Sequence, residues 1–242
     1  MTENRDELSR LNDVSAAYAE DSGELITRIA SARSADLIRD RGLVGGAGIQ
    51  LGLGDSYIAR ELAPCFDVFH VVEGSANLIE QHRDPEAGYE VLNSLFETFE
   101  PEIKYDVLLG NHVLEHVDEP VKILTAVRRC LKPGGRAVFT VPNADSLHRR
   151  IGVKMGMLEH CQELNSQDHF VGHRRVYRIE ELEADVSAGG FKIKESFGYG
   201  VKLVSMKQMA DWSDELLQAI YKVSLDLPPK LCSNIGVVCE VE

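Results

Sequence analysis

No stretch of eighteen consecutive apolar residues occurs in the chain, which excludes a membrane-spanning helix. The opening residues, MTENRDELSRLNDV, are polar and charged and lack the apolar segment of a secretion signal, so a cytoplasmic location is expected. Cysteine is scarce and scattered. Cys65, Cys130, Cys161, Cys232 and Cys239 are odd in number and form no C-x-x-C pair. That argues against a zinc knuckle or a disulfide frame and predicts reduced, buried thiols. Positive charge is in deficit: 26 Lys and Arg face 39 Asp and Glu, for a net charge of −13. Such a surface repels phosphate backbones and disfavours nucleic acid as a partner. Tryptophan occurs once, at Trp212, where it is expected to anchor a late helix in the core. No internal repeat and no low-complexity tract is found.

What remains is a chain of 242 residues with a hydrophobic fraction of 44%, enough to fill a real core. Apolar residues at helical spacing predict one or two helices over residues 5–41. From Ala47 strands and helices alternate. Strands are predicted at Ala47–Leu51, Asp67–Val72, Tyr89–Leu92, Tyr105–Leu109 and Arg136–Val141. Helices are predicted at Ser56–Leu62, Ser75–His82 and Pro120–Leu131, with Lys132-Pro133-Gly134-Gly135 as a turn. Later come a helix at Ile179–Ala188, a strand at Phe191–Phe197, a helical Met206–Val223 and a last strand at Asn234–Val241. This order predicts an α/β fold: a doubly wound, Rossmann-like, seven-stranded and mainly parallel sheet with an antiparallel edge. N-terminal helices and a helical cap insertion complete it. One domain is expected, divided into an N-terminal lid (1–44), a cofactor-binding core (45–142), a substrate cap (143–178) and the C-terminal part of the sheet (179–242).

Gly52 and Gly54 follow the first strand and let a backbone approach a ligand closely. Glu73 ends the second strand, 21 residues after Gly52, a spacing that suits a carboxylate reaching two ribose hydroxyls. A dinucleotide site would want a third glycine where Tyr57 stands, and Asp55 would repel phosphates. A ribose-bearing ligand without phosphate is the better match, and S-adenosylmethionine is such a ligand.

Three segments in order, "QLGLGDS", "VVEGS" and "YDVLLGNHVLEHVDEPVKILTAVRRCLKPGGRAVFTVPN", resemble the class I S-adenosylmethionine-dependent methyltransferases of the small-molecule type, similar to ubiquinone and natural-product O- and N-methyltransferases. The match covers roughly residues 45–145. The resemblance implies cofactor contacts at Gly52, Gly54 and Gly74, at Glu73 for the ribose, and at Asn111 and His112 beside the methionine part, with Leu114 as a nearby apolar contact. It places Phe96 and Glu97 where the family holds adenine; the competing reading is a surface loop. Gln50 stands where the family usually has an acid, and Ser56 where it often has a third glycine. Gln50 can still hydrogen-bond the cofactor. Tyr18, on the N-terminal helices, is a candidate for the methionine carboxylate.

His112, Glu115 and His116 spell the zinc-protease signature H-x-x-E-H. That motif needs a helix, whereas this one follows a buried strand directly, so the protease reading fails on context. In ubiquinone-type O-methyltransferases an acid and a histidine here can hold a divalent ion. The favoured reading is that Glu115 and His116 brace the loop, and no metal is expected.

Residues 145–178 carry six basic against four acidic residues and four of the eight histidines. Such a segment could attract an anionic acceptor, or could be ordinary charge scatter on a solvated face. A methyl acceptor must lose a proton, and a neutral histidine can take it. His169 and His173 are the base candidates, Asp168 could orient them, and His116 is a third catalytic candidate. The expected activity is methyl transfer to an oxygen or nitrogen of a small molecule. The alternatives are a protein or RNA methyltransferase, a non-catalytic cofactor-binding protein and, less favoured, a nicotinamide oxidoreductase. A homodimer is left open.

Overall fold

The computed structural model describes residues 10–12 and 25–242. Seven strands form one sheet: β1 Ala47–Leu51, β2 Val68–Glu73, β3 Glu90–Asn93, β4 Tyr105–Asn111, β5 Leu131–Pro142, β6 Lys192–Tyr199 and β7 Asn234–Glu240. Their order is β3-β2-β1-β4-β5-β7-β6. The pairs from β3 through β5 are parallel, and β7 runs antiparallel to both β5 and β6. The doubly wound sheet with its antiparallel edge is therefore present, with β7 inserted next to the outermost strand.

The strands alternate their apolar side chains between two faces, as the pleat requires. In β4, Val107 and Leu109 enter one core cluster and Leu108 the other. Helices α1 (Leu25–Asp40) and α2 (Tyr57–Leu62) cover one face through Leu37, Ile38, Ala59 and Leu62. The opposite face is covered by α4 (Pro120–Arg128) and α7 (Ile179–Ala188), through Ile123, Leu124, Val127, Leu182 and Val186. The short α3 (Ala76–Gln81) follows β2, and its Ser75 cap accepts from Leu78 N. Helices α5 (Leu147–Lys154) and α6 (Ser166–Phe170) lie in the segment after β5.

Two elements differ from expectation. The Lys132–Gly135 turn lies inside the long β5: Leu131 already pairs with Tyr105, and the ladder then skips register before Val107 meets Arg136. The extra residues bulge out of the strand without ending it. The expected helix over Met206–Val223 is broken. A short 3₁₀ turn (Met206–Met209) is followed by α8 (Asp214–Ser224), which starts where the Ser213 side chain accepts from Leu216 N. Trp212 lies between them, half-buried against a small satellite of Met209 and Leu217, away from the main core.

Gly110 near the end of β4 lies flat against Phe139. A methyl group there would sit 2.5 Å from Phe139 Cδ1. Gly110→Ala is expected to destabilise the protein by about 1–3 kcal/mol through overpacking. Urea unfolding would read this as a lower midpoint at constant slope.

Candidate active site

The strand order reverses between β1 and β4, so their carboxyl ends open a crevice. A cavity of about 980 Å³ occupies it. Its rim holds Gln50, Gly52, Gly54, Glu73, Gly74, Asn111 and His112 from the strand ends, with Phe96 and Glu97 from the loop after β3. Its far wall holds His116, His148, Asp168, His173 and Lys202, and Arg10 and Leu11 also reach it.

Gly52 and Gly54 have φ of 75° and 54°, in the left-handed region that a side chain disfavours. The turn is braced from beneath, because Gln50 Nε2 donates to Gly52 O at 2.8 Å. That leaves Gln50 Oε1 buried without a partner among the described residues. On β4, Asn111 Oδ1 accepts from Thr140 Oγ1, and Asn111 Nδ2 is likewise buried with no partner among the described residues. The cavity wall thus carries one orphaned acceptor and one orphaned donor at adjacent strand ends. The Glu73 carboxylate accepts from Leu53 N at 2.9 Å and Ser75 N at 2.7 Å, which fixes its direction and leaves lone pairs on both oxygens. Burial pushes its pKa up, and the backbone donors only partly offset this. At the helix after the glycine turn, Asp55 Oδ1 accepts from Tyr57 N at 3.0 Å. A carboxylate therefore occupies the helix mouth, where a dinucleotide site would need room for phosphate. These residues fit a ligand with ribose, amino and carboxylate groups and no phosphate.

The H-x-x-E-H stretch forms a turn, not a helix, and the protease reading is excluded by that geometry. His112 has a φ of 53°. Its ring is held at both nitrogens. Nδ1 bonds Glu115 Oε1 at 3.0 Å and Nε2 bonds Tyr199 Oη at 3.2 Å. Glu115 is fully buried, and its second oxygen, Oε2, has no partner among the described residues. Burial raises the Glu115 pKa, but the His112 hydrogen bond and the nearby histidines outweigh it and hold the group below its ordinary value. His116 is lowered to about 4, first by burial, so it stays neutral.

Of the two base candidates His169 and His173, the fold brings only His173 to the cavity. His169 is exposed and does not line it, because α6 turns that residue outward. His173 Nδ1 bonds Asp168 Oδ1 at 3.1 Å, while Arg149 grips Asp168 Oδ2 at 3.1 Å. Leu114 is fully buried in the core, and its neighbour Val113 lines the cavity instead. Tyr18 lies outside the described residues. Most of the expected basic anomaly is internal wiring. Arg175 donates to the carbonyls of Leu114, Val117 and Asp118, and Arg174 Nε to that of His116, buckling the 112–118 turn to the cap. Arg149 also donates to the Cys161 and Glu163 carbonyls. A further cation on the cavity wall, not anticipated from the sequence, is Lys202, after β6, with its pKa lowered by burial. No signal in the local sequence marks it, since only the return of β6 to the sheet places it there.

His148, whose Nδ1 is buried with no partner among the described residues, is lowered to about 3 by burial and the nearby Lys202 and Arg149 charges. A histidine whose pKa falls on folding contributes stability that is complete above its unfolded pKa near 6.5 and is lost as pH falls. Between pH 6.5 and 5 the wild type should lose about 2 kcal/mol through this group, at about 1.4 kcal/mol per unit. His148→Gln should lack that part of the slope, as urea titrations at the two pH values would reveal.

The comparisons with known proteins agree with this geometry. Residues 23–196 match the family described as a methyltransferase domain. A stretch of 164 residues, 65% of this chain, is 26% identical to a ubiquinone biosynthesis O-methyltransferase from Acinetobacter baylyi and spans 68% of that protein. A stretch of 123 residues, 48% of this chain, is 32% identical to a dimethylglycine N-methyltransferase from Parasynechococcus marenigrum and spans 42% of it. Among solved structures, an S-adenosylmethionine-dependent methyltransferase from Thermotoga maritima superposes with a TM-score of 0.63 at 19% identity, over 98% of this chain and 95% of that one. The chain belongs to the methyltransferase-domain family. It is an S-adenosylmethionine-dependent methyltransferase, and S-adenosylmethionine is its cofactor. Among the described residues no helix is long and apolar enough to cross a membrane.

Proposed function

We propose that the protein transfers the methyl group to an oxygen or nitrogen of a small-molecule acceptor held under the 143–178 cap. The observation that carries this reading is a continuous cavity of about 980 Å³, which runs from the strand-end rim to a wall of His116, His173 and Lys202. That volume is at the upper end of the roughly 300–1,000 Å³ found for small-ligand sites and leaves room for an acceptor beside the cofactor.

In this reading Glu73 receives the ribose hydroxyls, Gln50 Oε1 the ammonium and Asn111 Nδ2 the carboxylate of the methionine part. Phe96 and Glu97 flank the adenine. When bound, S-adenosylmethionine supplies an electrophilic methyl carbon on a sulfonium leaving group. The protein's remaining task is alignment, with the reacting atoms about 3 Å apart. His116, kept neutral by burial, and His173, oriented by Asp168, meet the acceptor's hydroxyl or amine where its proton must leave. Lys202 favours an acceptor with an acidic group, since a buried ammonium gains most from a counter-charge. The O- and N-methyltransferase relatives support both attacking atoms equally.

Incubating the protein and a small-molecule extract with methyl-tritiated cofactor tests the proposal. Label should appear in low-molecular-weight products. Label confined to protein or RNA would refute it.

A further inference from the structure

We infer that Lys202 and His148 form a carboxylate-binding subsite in the acceptor part of the cavity, and that the acceptor is a hydroxy or amino acid with an apolar body. The identity of the acceptor rests on the proposed function; the binding of the anion does not. Lys202 and His148 both line the cavity. Among the described residues Lys202 makes no ion pair and no hydrogen bond. An ammonium drawn out of water without a counter-charge is costly, and a bound anion removes that cost. His148 adds the second contact. Its Nδ1 is buried with no partner among the described residues, and a neutral imidazole has one N–H to place there. The two side chains are near enough for the Lys202 charge to act on the His148 ring.

The groups that would otherwise satisfy Lys202 are engaged. Asp168, the carboxylate whose charge reaches it, accepts from Arg149 Nη1 at 3.1 Å and from Asn165 N at 2.9 Å, and bonds His173 Nδ1 at 3.1 Å. Arg149 also donates to the Cys161 and Glu163 carbonyls, so its guanidinium is not free for a ligand. Two residues ahead of Lys202 the backbone is anchored. Gly200 N donates to Ser224 Oγ at 2.8 Å, and Ser233 N donates to Gly200 O at 2.6 Å. The lysine therefore leaves the chain from a fixed point.

One ammonium suits a monoanion. A phosphate dianion draws guanidinium forks or several N–H donors, and here Arg149 is committed while Asp168 repels a second negative charge. Val201, Met206, Met209 and Ile220, from the stretch between β6 and the end of α8, line the same cavity with apolar surface and suit an apolar body. Asp168 acts through space on Lys202 and bonds His173, so the anion subsite and the base candidate share one neighbour. That short span places the methylated hydroxyl or amine within a few bonds of the carboxylate.

The test is calorimetric titration of the full chain saturated with S-adenosylhomocysteine. The probes are lactate, mandelate and 3-phenyllactate, each against its own amide, with phenyl phosphate as the phosphate arm. At least one acid should bind about 10–100-fold tighter than its amide, as expected for a hydrogen bond to a charged group. Lys202→Met and Lys202→Gln should each bring that acid down to the affinity of its amide. His148→Phe should weaken it about 2–10-fold, the worth of one neutral donor. Lys230→Met, an equal change of charge at an exposed site, should leave the preference intact. S-adenosylhomocysteine binding serves as the folding control for every variant. Acids bound no tighter than their amides, in protein that binds S-adenosylhomocysteine, would overturn the subsite, as would a preference that survives both Lys202 changes. Phenyl phosphate bound tighter than every acid, and lost in Lys202→Met, would overturn the carboxylate assignment. An intact acid preference with no methyl transfer to any hydroxy or amino acid would leave the subsite standing and count against the proposed function.

Discussion

Glu73→Ala is expected to weaken S-adenosylhomocysteine binding by about 10²–10⁴-fold in a calorimetric titration. The estimate follows from two hydroxyl hydrogen bonds to an ionised group, each about 1.5–3 kcal/mol, at about 1.4 kcal/mol per tenfold. The carboxylate already accepts from Leu53 N and Ser75 N, so the same change strands two backbone donors and should lower stability as well. Glu73→Gln separates the two effects. It keeps the shape and one acceptor, so it should retain most of the stability and lose affinity by an intermediate factor. Unchanged affinity in a folded Glu73→Ala variant would refute the ribose assignment.

The largest stability loss is expected at Arg149. Its guanidinium is 4% exposed, and it joins Asp168 to the carbonyls of Cys161 and Glu163. Arg149→Ala leaves a buried carboxylate without its counter-ion, a change worth about 3–5 kcal/mol. Asp168 is held well below the usual carboxylate range, because the bonds from His173, Asn165 N and Arg149 overcome the upward push of burial. A carboxylate whose pKa falls on folding contributes stability that is full above the unfolded value near 3.9 and fades as pH falls below it. The loss in Arg149→Ala should therefore be greatest at neutral pH and shrink in acid. Cofactor affinity should change little, since the glycine turn and Glu73 belong to other elements. A midpoint equal to wild type in urea unfolding at pH 7 would contradict the role given to this pair.

Much of the fold was legible because its signals are local. Ala47–Leu51 and Ile179–Ala188 form over the predicted residues, since an apolar run and a well-bounded helical period need no distant partner to be recognised. The glycine turn and the acid at the end of β2 also lie where their spacing implied. The failures trace to contacts between distant segments. Whether the strand begins before or after the Lys132–Gly135 stretch depends on Leu131 pairing with Tyr105. His169 and His173 read alike in sequence, but Asp168 both caps the short α6 and holds His173, so only one ring faces inward. The arginines around residue 175 read either as an anion-attracting patch or as charge scatter, and neither anticipates that Arg175 is spent on backbone carbonyls, which no charge count registers. The break before α8 was readable in principle, since Ser213-Asp214-Glu215 is a helix-start signal inside a longer helical period.

The central claim is that a phosphate-free nucleoside lies across the ends of β1, β2 and β4, and a crystal structure with S-adenosylhomocysteine tests it most directly. Both ribose hydroxyls should lie within hydrogen-bond distance of the Glu73 carboxylate, with the amino acid part against Gln50 and Asn111. A ligand bound elsewhere, or a ribose turned away from Glu73, would contradict the account.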